Sequence, residues 1–264
     1  MAWVDYDQLA AVYDRHRAVP LEALEPWRAA LAAYLPPSSG LPVLDLGAGT
    51  GLFSAAIAQW FGTDVVAVEP SEGMRRQARA TRAHPRVAWV GGLGEQLPLR
   101  DGCCDSAWLS TVIHHLSDLA TCASELRRVV RPGGWVLVRN AFPDRPEPGT
   151  RLFTFWPAAR AILARAPTVQ ATIATFTAAG FTLHRLEQIS DQSAANLKEA
   201  YKRARVRADS LLRLLPDAEF TKGLEALERA AAAETTPTPV LRRLDLLVLQ
   251  APETRPLVGW PTRS

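Results

Sequence analysis

Hydrophobic positions between residues 43 and 140 alternate between short continuous runs and stretches with helical spacing. Short apolar runs are typical of buried strands, whereas apolar residues at every third or fourth position indicate helices. The pattern predicts strands over 43–46, 64–68, 87–90, 106–110 and 135–139, and helices over 52–61, 72–82 and 119–130. Because these strands are apolar throughout and alternate with helices, we expect an α/β fold with a parallel sheet covered on both faces.

Mostly helical patterns flank this alternating region. Before it, helices are predicted over 5–19 and 26–35, and a Pro-Pro-Ser-Ser-Gly break follows them. After it come a predicted loop over 141–150, helices over 156–165, 169–178, 194–215 and 218–233, and strands over 181–189 and 240–249. We interpret 1–40 as an N-terminal helical cap and 41–264 as one domain, with helical insertions near 141–168 and 191–238.

The composition and charge of the chain mainly exclude classes of protein. The 264 residues are 48% hydrophobic and 22% charged, which is typical of a globular protein. No apolar run reaches the length of about 18 residues that a membrane span needs, and the N-terminus lacks the pattern of a secretory signal. Adjacent Cys103 and Cys104 suit neither a structural disulfide nor a CxxC zinc site, so we predict a cytoplasmic protein without a metal. The net charge of +3 is a small excess for a nucleic-acid binder.

The most informative motif is Val43-Leu44-Asp45-Leu46-Gly47-Ala48-Gly49-Thr50-Gly51, where the first strand turns into a helix. Glycines let the backbone approach a ligand, and a helix N-terminus favours negative groups. The spacing is GxGxG, and Leu52 stands where a dinucleotide fingerprint needs its third glycine. Glu69 ends the second strand, 18 positions after Gly51, and its carboxylate could accept two hydrogen bonds from a ribose. A tight turn and a solvated strand end are the plain alternatives.

Further motifs follow in order along the chain. Gly92-Leu93-Gly94-Glu95-Gln96-Leu97-Pro98 follows the third strand, His114-His115 follows the fourth, and Leu-Arg-Arg-Val-Val-Arg-Pro-Gly-Gly precedes the fifth. Together with the glycine motif and Val-Ala-Val-Glu-Pro-Ser, this series resembles the class I S-adenosylmethionine-dependent methyltransferases. More narrowly, it resembles the type 11 branch, which contains ubiquinone- and menaquinone-biosynthesis enzymes and many natural-product methyltransferases. The resemblance covers about residues 5–140 and includes a cap helix at the start of the chain.

The resemblance implies a Rossmann-like seven-stranded sheet whose last strand is antiparallel. It also implies S-adenosyl-L-methionine as the cofactor and S-adenosyl-L-homocysteine as the product. The implied contacts to the methionine part and the ribose come from Asp45, Gly47, Ala48, Gly49, Gly51 and Glu69. Those near the adenine and the sulfonium come from Pro70, Met74, Leu93, Gly94, Leu109 and Ser110. Cap residues over the methionine carboxylate are Tyr6, Tyr13 and Arg17, and for the two tyrosines ordinary helix packing is the alternative. Most relatives carry a polar residue and then Ala where this chain has Leu93 and Gly94.

Methyl transfer from a sulfonium is an in-line displacement that needs correct approach and exclusion of water. A hydroxyl acceptor also needs a base, and a histidine with an ordinary pKa of about 6.5 can act as one. His114 and His115 follow the fourth strand, where ligands bind in open α/β sheets. We predict one of them as the catalytic base, with a structural histidine as the alternative, and therefore slightly favour O-methylation.

The predicted substrate contacts follow the fifth strand. Arg139 could pair with a substrate carboxylate or phosphate and Asn140 could bond substrate, unless both are solvated. The aromatic residues Phe142, Phe153, Phe155 and Trp156 could line an apolar pocket, or form core under a lid. A basic helix could dock an acyl carrier, a phosphorylated substrate or RNA, although a solvated face is the commoner explanation. Its residues are Lys198, Lys202, Arg203, Arg205 and Arg207.

The sequence thus predicts an S-adenosylmethionine-dependent methyltransferase acting on a small molecule, with no membrane partner and nucleic acid disfavoured. A homodimer is compatible with it. The rivals are an RNA or protein methyltransferase and an S-adenosylmethionine-binding protein without methyl transfer. A nicotinamide oxidoreductase is disfavoured by the glycine spacing.

Overall fold

The computed structural model describes residues 10, 19–35, 40–145, 149–150 and 152–254. The strands are β1 (Val43–Leu46), β2 (Val65–Val68), β3 (Val87–Val90), β4 (Ser106–Ser110), β5 (Trp135–Asn140), β6 (Gly149–Thr150), β7 (Thr182–Ala194) and β8 (Val240–Gln250). The helices are α1 (Glu25–Leu31), α2 (Leu52–Phe61), α3 (Glu72–Thr81), α4 (Leu119–Val129), α5 (Leu152–Phe155), α6 (Ala159–Leu163), α7 (Val169–Ala178), α8 (Leu197–Ala204), α9 (Ser210–Arg213) and α10 (Asp217–Ala232). Short 3-10 turns occupy Leu21–Leu24 and Ile113–His115.

All of these strands join one mixed sheet. Strands β3, β2, β1, β4 and β5 lie side by side and run parallel, and β8 pairs antiparallel with β5. Strand β7 pairs antiparallel with β8 along its full length, and two-residue β6 also pairs with β8. The seven principal strands and the antiparallel last strand confirm the predicted fold.

Hydrophobic cores form on both faces of the sheet. On one face, α4 and α7 bury Leu126, Val129 and Phe176 against the strands. On the other face, α1 and α2 bury Trp27 and Ile57. This two-sided burial explains why β1, β4 and β5 are apolar almost throughout, and it leaves the carboxyl ends of the parallel strands for the connecting loops.

A third core lies within the predicted insertions. It is formed by residues before β7, residues between β7 and β8, and the ends of these two strands: Phe153, Trp156, Ala159, Leu163, Ala194, Leu197, Leu212, Leu215, Leu227 and Val240. The two insertions are therefore packed against each other. No helix in the part of the chain that the structure describes is long and apolar enough to cross a membrane.

The element boundaries depart from prediction mainly after residue 140. The single helix predicted over 156–165 is replaced by α5 and α6, and the predicted loop over 141–150 contains β6. The helix predicted over 194–215 is interrupted, because β7 extends to Ala194 and α8 ends at Ala204. The helix predicted over 26–35 ends at Leu31. Of the helix predicted over 5–19, only Ala10 and Val19 are described, and Ala10 is helical and buried.

Candidate active site

The β1–α2 loop presents three glycines in the left-handed region of backbone space. The φ angles are +70° at Gly47, +57° at Gly49 and +81° at Gly51. A Cβ at Gly47 would lie 2.3 Å from Val112 Cγ2, and one at Gly51 would lie 2.7 Å from Trp89, whereas a Cβ at Gly49 would meet no atom within 4 Å. Two of the glycines thus allow close packing of the loop, and the third faces open space where a ligand can approach its backbone.

Hydrogen bonds tie this loop to the end of β2. The Gly47 and Ala48 amides donate to the Val68 carbonyl, at 2.8 Å and 3.2 Å. The Gly49 amide donates to Glu69 Oε2 at 2.9 Å, and the Ser71 amide donates to Glu69 Oε1 at 2.9 Å. Because a carboxylate has about four acceptor positions, these two bonds orient Glu69 without exhausting it.

Asp45 is a buried carboxyl group beneath the loop. Ser54 Oγ, in the first turn of α2, donates to Asp45 Oδ2 at 2.5 Å, so the pair joins β1 to α2. Burial raises the pKa of Asp45 to about 7; the bond from Ser54 lowers it, and the nearby Glu69 carboxylate raises it further. Asp45 therefore changes protonation near neutral pH.

The residues predicted beside the adenine lie on the loops after β2 and β3. Met74 is buried in the first turn of α3, where Ser71 caps the helix by accepting from the Met74 amide at 3.1 Å. Pro70 is exposed at the start of the same turn, and Leu93 is 45% exposed. Gly94 is buried, and a Cβ there would lie 2.8 Å from Leu116 Cδ2. A side chain at this position would therefore require Leu116 to move.

The chain leaves β4 in an unusual turn. Leu109 is fully buried and Ser110 partly buried, and Thr111 has a φ of +53°. Non-glycine residues are uncommon in this region, and such strain is often found at functional sites. His114 is partly buried and His115 exposed, and their ring centroids are 4.1 Å apart. Thr111 carried no sequence signal, because backbone strain at a threonine is not visible in composition or spacing.

The structure places Arg139 and Asn140 inside the protein, contrary to the predicted substrate contacts. Arg139 is 3% exposed and donates to Asp191 Oδ2 at 3.0 Å and to Ser110 Oγ at 3.1 Å. Asn140 is 2% exposed and donates to the Ala141 carbonyl at 2.9 Å. Both residues face the interior because they lie on a central strand that β4 and β8 flank.

The predicted aromatic pocket is instead core, which was the stated alternative. Phe142 is fully buried in the core beneath α4 and α7. Phe153 and Trp156 belong to the core of the insertions, and the Trp156 indole donates to the Phe220 carbonyl at 2.9 Å. Aromatic spacing predicts burial, but it does not distinguish burial by protein from burial by substrate.

Comparison with known families identifies the domain that surrounds this site. Residues 44–138 match the family described as "Methyltransferase domain". Residues 44–138 are therefore a methyltransferase domain, similar to those of class I S-adenosylmethionine-dependent enzymes. The match spans β1 to β5 and includes the glycine loop and Glu69, and it confirms the predicted family and its cofactor.

The methyltransferase domain is also similar to individual proteins. A demethylmenaquinone methyltransferase of Parafrankia sp. (strain EAN1pec) is 37% identical over 152 residues, which are 50% of this chain and 59% of the relative. A malonyl-[acyl-carrier protein] O-methyltransferase of Pectobacterium atrosepticum is 36% identical over 129 residues, 49% of this chain and 48% of the relative. The chain therefore spans about half to three fifths of the curated relatives it matches.

A solved structure extends the similarity beyond the methyltransferase domain. It comes from Anabaena variabilis ATCC 29413 and is assigned to the methyltransferases of an antibiotic biosynthesis pathway. The TM-score is 0.67 with 26% identity, and the alignment covers 88% of this chain and 98% of that chain. The alignment is longer than the match over residues 44–138, so part of the fold outside those residues also has a counterpart in a known structure.

The residues around the glycine loop between β1 and α2 fit S-adenosylmethionine. The backbone at Gly49 is open, and the oriented carboxylate of Glu69 lies at the end of β2, where a ribose diol would be bound. Tyr6, Tyr13 and Arg17 of the predicted cap lie outside the described residues. Within the described ranges, no group of three or more His, Cys, Asp or Glu side chains could hold a metal ion.

Proposed function

We propose that this protein transfers a methyl group from S-adenosylmethionine to a small-molecule acceptor, with a hydroxyl or carboxyl oxygen favoured over nitrogen or carbon. The observation that carries the proposal is the bond from the Gly49 amide to Glu69. It joins the open glycine loop after β1 to the ribose-binding position after β2. In this proposal the glycine loop after β1 and Glu69 after β2 form the two parts of one adenosyl-binding site, and they are already joined without the ligand.

The cofactor residues divide into an orienting group and a contacting group. Asp45 holds the loop from beneath through Ser54, and Val68 holds it through its carbonyl. The Gly49 backbone and Glu69 are the groups that a bound adenosyl ligand would contact. S-Adenosylmethionine supplies an activated methyl group when it is bound, so the protein must supply approach geometry and a water-poor surface.

The histidine pair supports oxygen as the acceptor atom. His114 and His115 lie on the turn directly after β4, beside the predicted sulfonium position at Ser110. A neutral imidazole there can accept the proton of a hydroxyl acceptor as the oxygen attacks. One of the similar proteins is named as a malonyl-[acyl-carrier protein] O-methyltransferase. A carboxyl group and a hydroxyl group are therefore the two acceptor classes to test first.

Calorimetric titration with S-adenosylmethionine, S-adenosylhomocysteine and NADH tests the cofactor site. Gly49→Arg fills the open face of the loop and should abolish binding of both adenosyl ligands. Gly62→Arg is the matched control, because Gly62 also has a positive φ (+61°) and open surroundings but lies at the far end of α2. Absence of adenosyl binding to the folded wild-type protein, or equal loss in both variants, would contradict the proposal.

Assays with the two acceptor classes test the base. If one histidine accepts the proton of a hydroxyl acceptor, its replacement by Ala should lower kcat with that acceptor about 10²–10⁴-fold while leaving the affinity for S-adenosylhomocysteine unchanged. The other histidine is the internal control, since the two rings are in contact. If His114→Ala and His115→Ala both retain wild-type kcat with a hydroxyl acceptor, neither residue is the base.

A further inference from the structure

A buried polar cluster joins four elements beside the proposed methyl-transfer site. Asp191 on β7 accepts hydrogen bonds from Trp27 Nε1 on α1 at 2.6 Å and from Arg139 Nη2 on β5 at 3.0 Å. It also accepts two bonds from Arg242 on β8, at 2.9 Å and 2.8 Å. Although burial raises the pKa of Asp191, its two arginine partners and Trp27 hold the pKa below its usual value, so the cluster stays charged.

Arg139 connects this cluster to the turn that leaves β4. Its Nη1 donates to Ser110 Oγ at 3.1 Å, and its carbonyl accepts from the Thr111 amide at 2.7 Å. Its guanidinium carbon also lies 4.7 Å from the Trp27 ring centroid and 5.2 Å from that of Phe53. Arginine's planar head is therefore held by ring contacts and by Asp191 while one nitrogen is directed at the turn.

The turn itself reaches the cofactor loop and the histidines. We define the β4 exit turn as residues 110–115. Thr111 holds a strained φ of +53°, and Val112 packs where a Cβ of Gly47 would stand. The next residues are the 3-10 turn with His114 and His115. A change at Ser110 or Thr111 would therefore move the glycine loop and the candidate base together.

We propose that Arg139 is a positioning residue: anchored by Asp191, it holds Ser110 and the β4 exit turn in the geometry that methyl transfer requires. The inference rests on the proposed function for its catalytic meaning. It explains why a charged residue is buried at the end of β5, where the predicted role was contact with substrate. It also connects α1 and the β7–β8 pair, which carries an insertion, to the reacting centre.

The test uses the full chain without ligand first. Arg139→Lys cannot reach both Asp191 and Ser110, so the Thr111 and His115 amides should exchange hydrogen at least about tenfold faster, with β2 amides unchanged. Arg145→Lys is the matched control, because Arg145 also pairs with a buried carboxylate, that of Asp245 on β8 at 3.0 Å, and not with Ser110. A second variant, Arg139→Met, removes the guanidinium group completely. If this variant fails to fold, Arg139→Met combined with Asp191→Asn removes the two opposite charges together.

Calorimetry with S-adenosylhomocysteine then links the turn to the site. Arg139→Lys should weaken binding about tenfold, and the effect should vanish in the Ser110→Ala background if Arg139 acts through that hydroxyl. A lowered Tm with unchanged exchange and unchanged affinity would make Arg139 a stabilising residue only and overturn the inference. Absence of adenosyl binding to the wild-type protein would overturn the proposed function instead, and the exchange measurement would still decide whether Arg139 holds the turn.

Discussion

The part of the chain from β1 to β5, the first half, and the part from β6 to β8, the second half, differ in how directly the local sequence determines the structure. From β1 to β5, local backbone requirements define the site: glycines at positive φ, a carboxylate at a strand end and a capped helix follow one another at short range. From β6 to β8, the important contacts join residues far apart in the chain, such as Asp191 with Arg242 and Trp156 with Phe220. The first half therefore contains the proposed cofactor site, and the second half is organised by long-range packing.

The difference predicts that damage to the insertion core, which is distinct from the Asp191 cluster, should lower stability without weakening cofactor binding. Trp156 is buried, stacks on Phe220 with centroids 6.2 Å apart and fills the space beside Gly223. Trp156→Ala should lower the free energy of unfolding by about 3–5 kcal/mol, measured by urea denaturation. S-Adenosylhomocysteine affinity of the remaining folded protein should stay within about twofold of wild type, because the insertion core is separate from the core beneath the glycine loop. A large loss of affinity at a temperature where the variant is folded would break the comparison.

Prediction from sequence follows the same division. Strands β1, β3 and β4 and helix α2 have the predicted bounds, because apolar runs and glycine stops are local signals. Strand β7 was predicted to end at 189 but extends to Ala194. Its last residues are polar, and pairing with β8 from Val240 onward determines their conformation. No local rule could supply a partner about 50 residues away.

The candidate site shows more clearly which contacts local sequence signals cannot predict. Gly49 and Glu69 could be selected from their places at two neighbouring strand ends, and Asp45 from the family resemblance, because the bonds of all three lie within the segment from β1 to the end of β2. Arg139 was predicted either to pair with a carboxylate or phosphate of the substrate or to be a solvated strand end, because it lies at the end of the fifth strand. Its actual partner, Asp191, was unpredictable, since only the folded sheet brings the two side chains together.

In the first half, Asp45 is expected to lower the stability of the protein as pH rises toward neutrality. The folded-state pKa of Asp45 is about 7, above the ordinary value of 3.8. As pH rises through this interval, the unfolded state loses the proton first, so stability falls and the loss is complete above pH 7. The total effect is on the order of 4 kcal/mol.

Asp45→Asn tests this trend by removing the titration while keeping an acceptor for Ser54. The difference in unfolding free energy between wild type and variant, measured by urea denaturation from pH 4 to pH 8, should move against the wild type as pH rises. A difference that stays constant, or moves the opposite way, would show that Asp45 does not titrate in the folded protein near neutrality.

The smallest effect compares two carboxylates that each accept backbone amides, one in each half. Glu69 accepts from Gly49 and Ser71, and Glu234 accepts from the Leu197 amide at 3.1 Å in the insertion. A hydrogen bond to a charged group contributes about 1.5–3 kcal/mol, so Glu69→Gln should weaken S-adenosylhomocysteine binding by about 10–150-fold. Glu234→Gln should change only stability.

Calorimetry separates these outcomes, because it measures affinity in the folded protein while denaturation measures stability. If Glu234→Gln weakened binding as strongly as Glu69→Gln, the insertion would be part of the cofactor site and the division between the halves would fail. If neither variant changed affinity, Glu69 would serve only to order the glycine loop. The distinction between the two halves holds only if Glu69→Gln weakens binding and Glu234→Gln does not, since the Glu69 carboxylate joins the ends of β1 and β2.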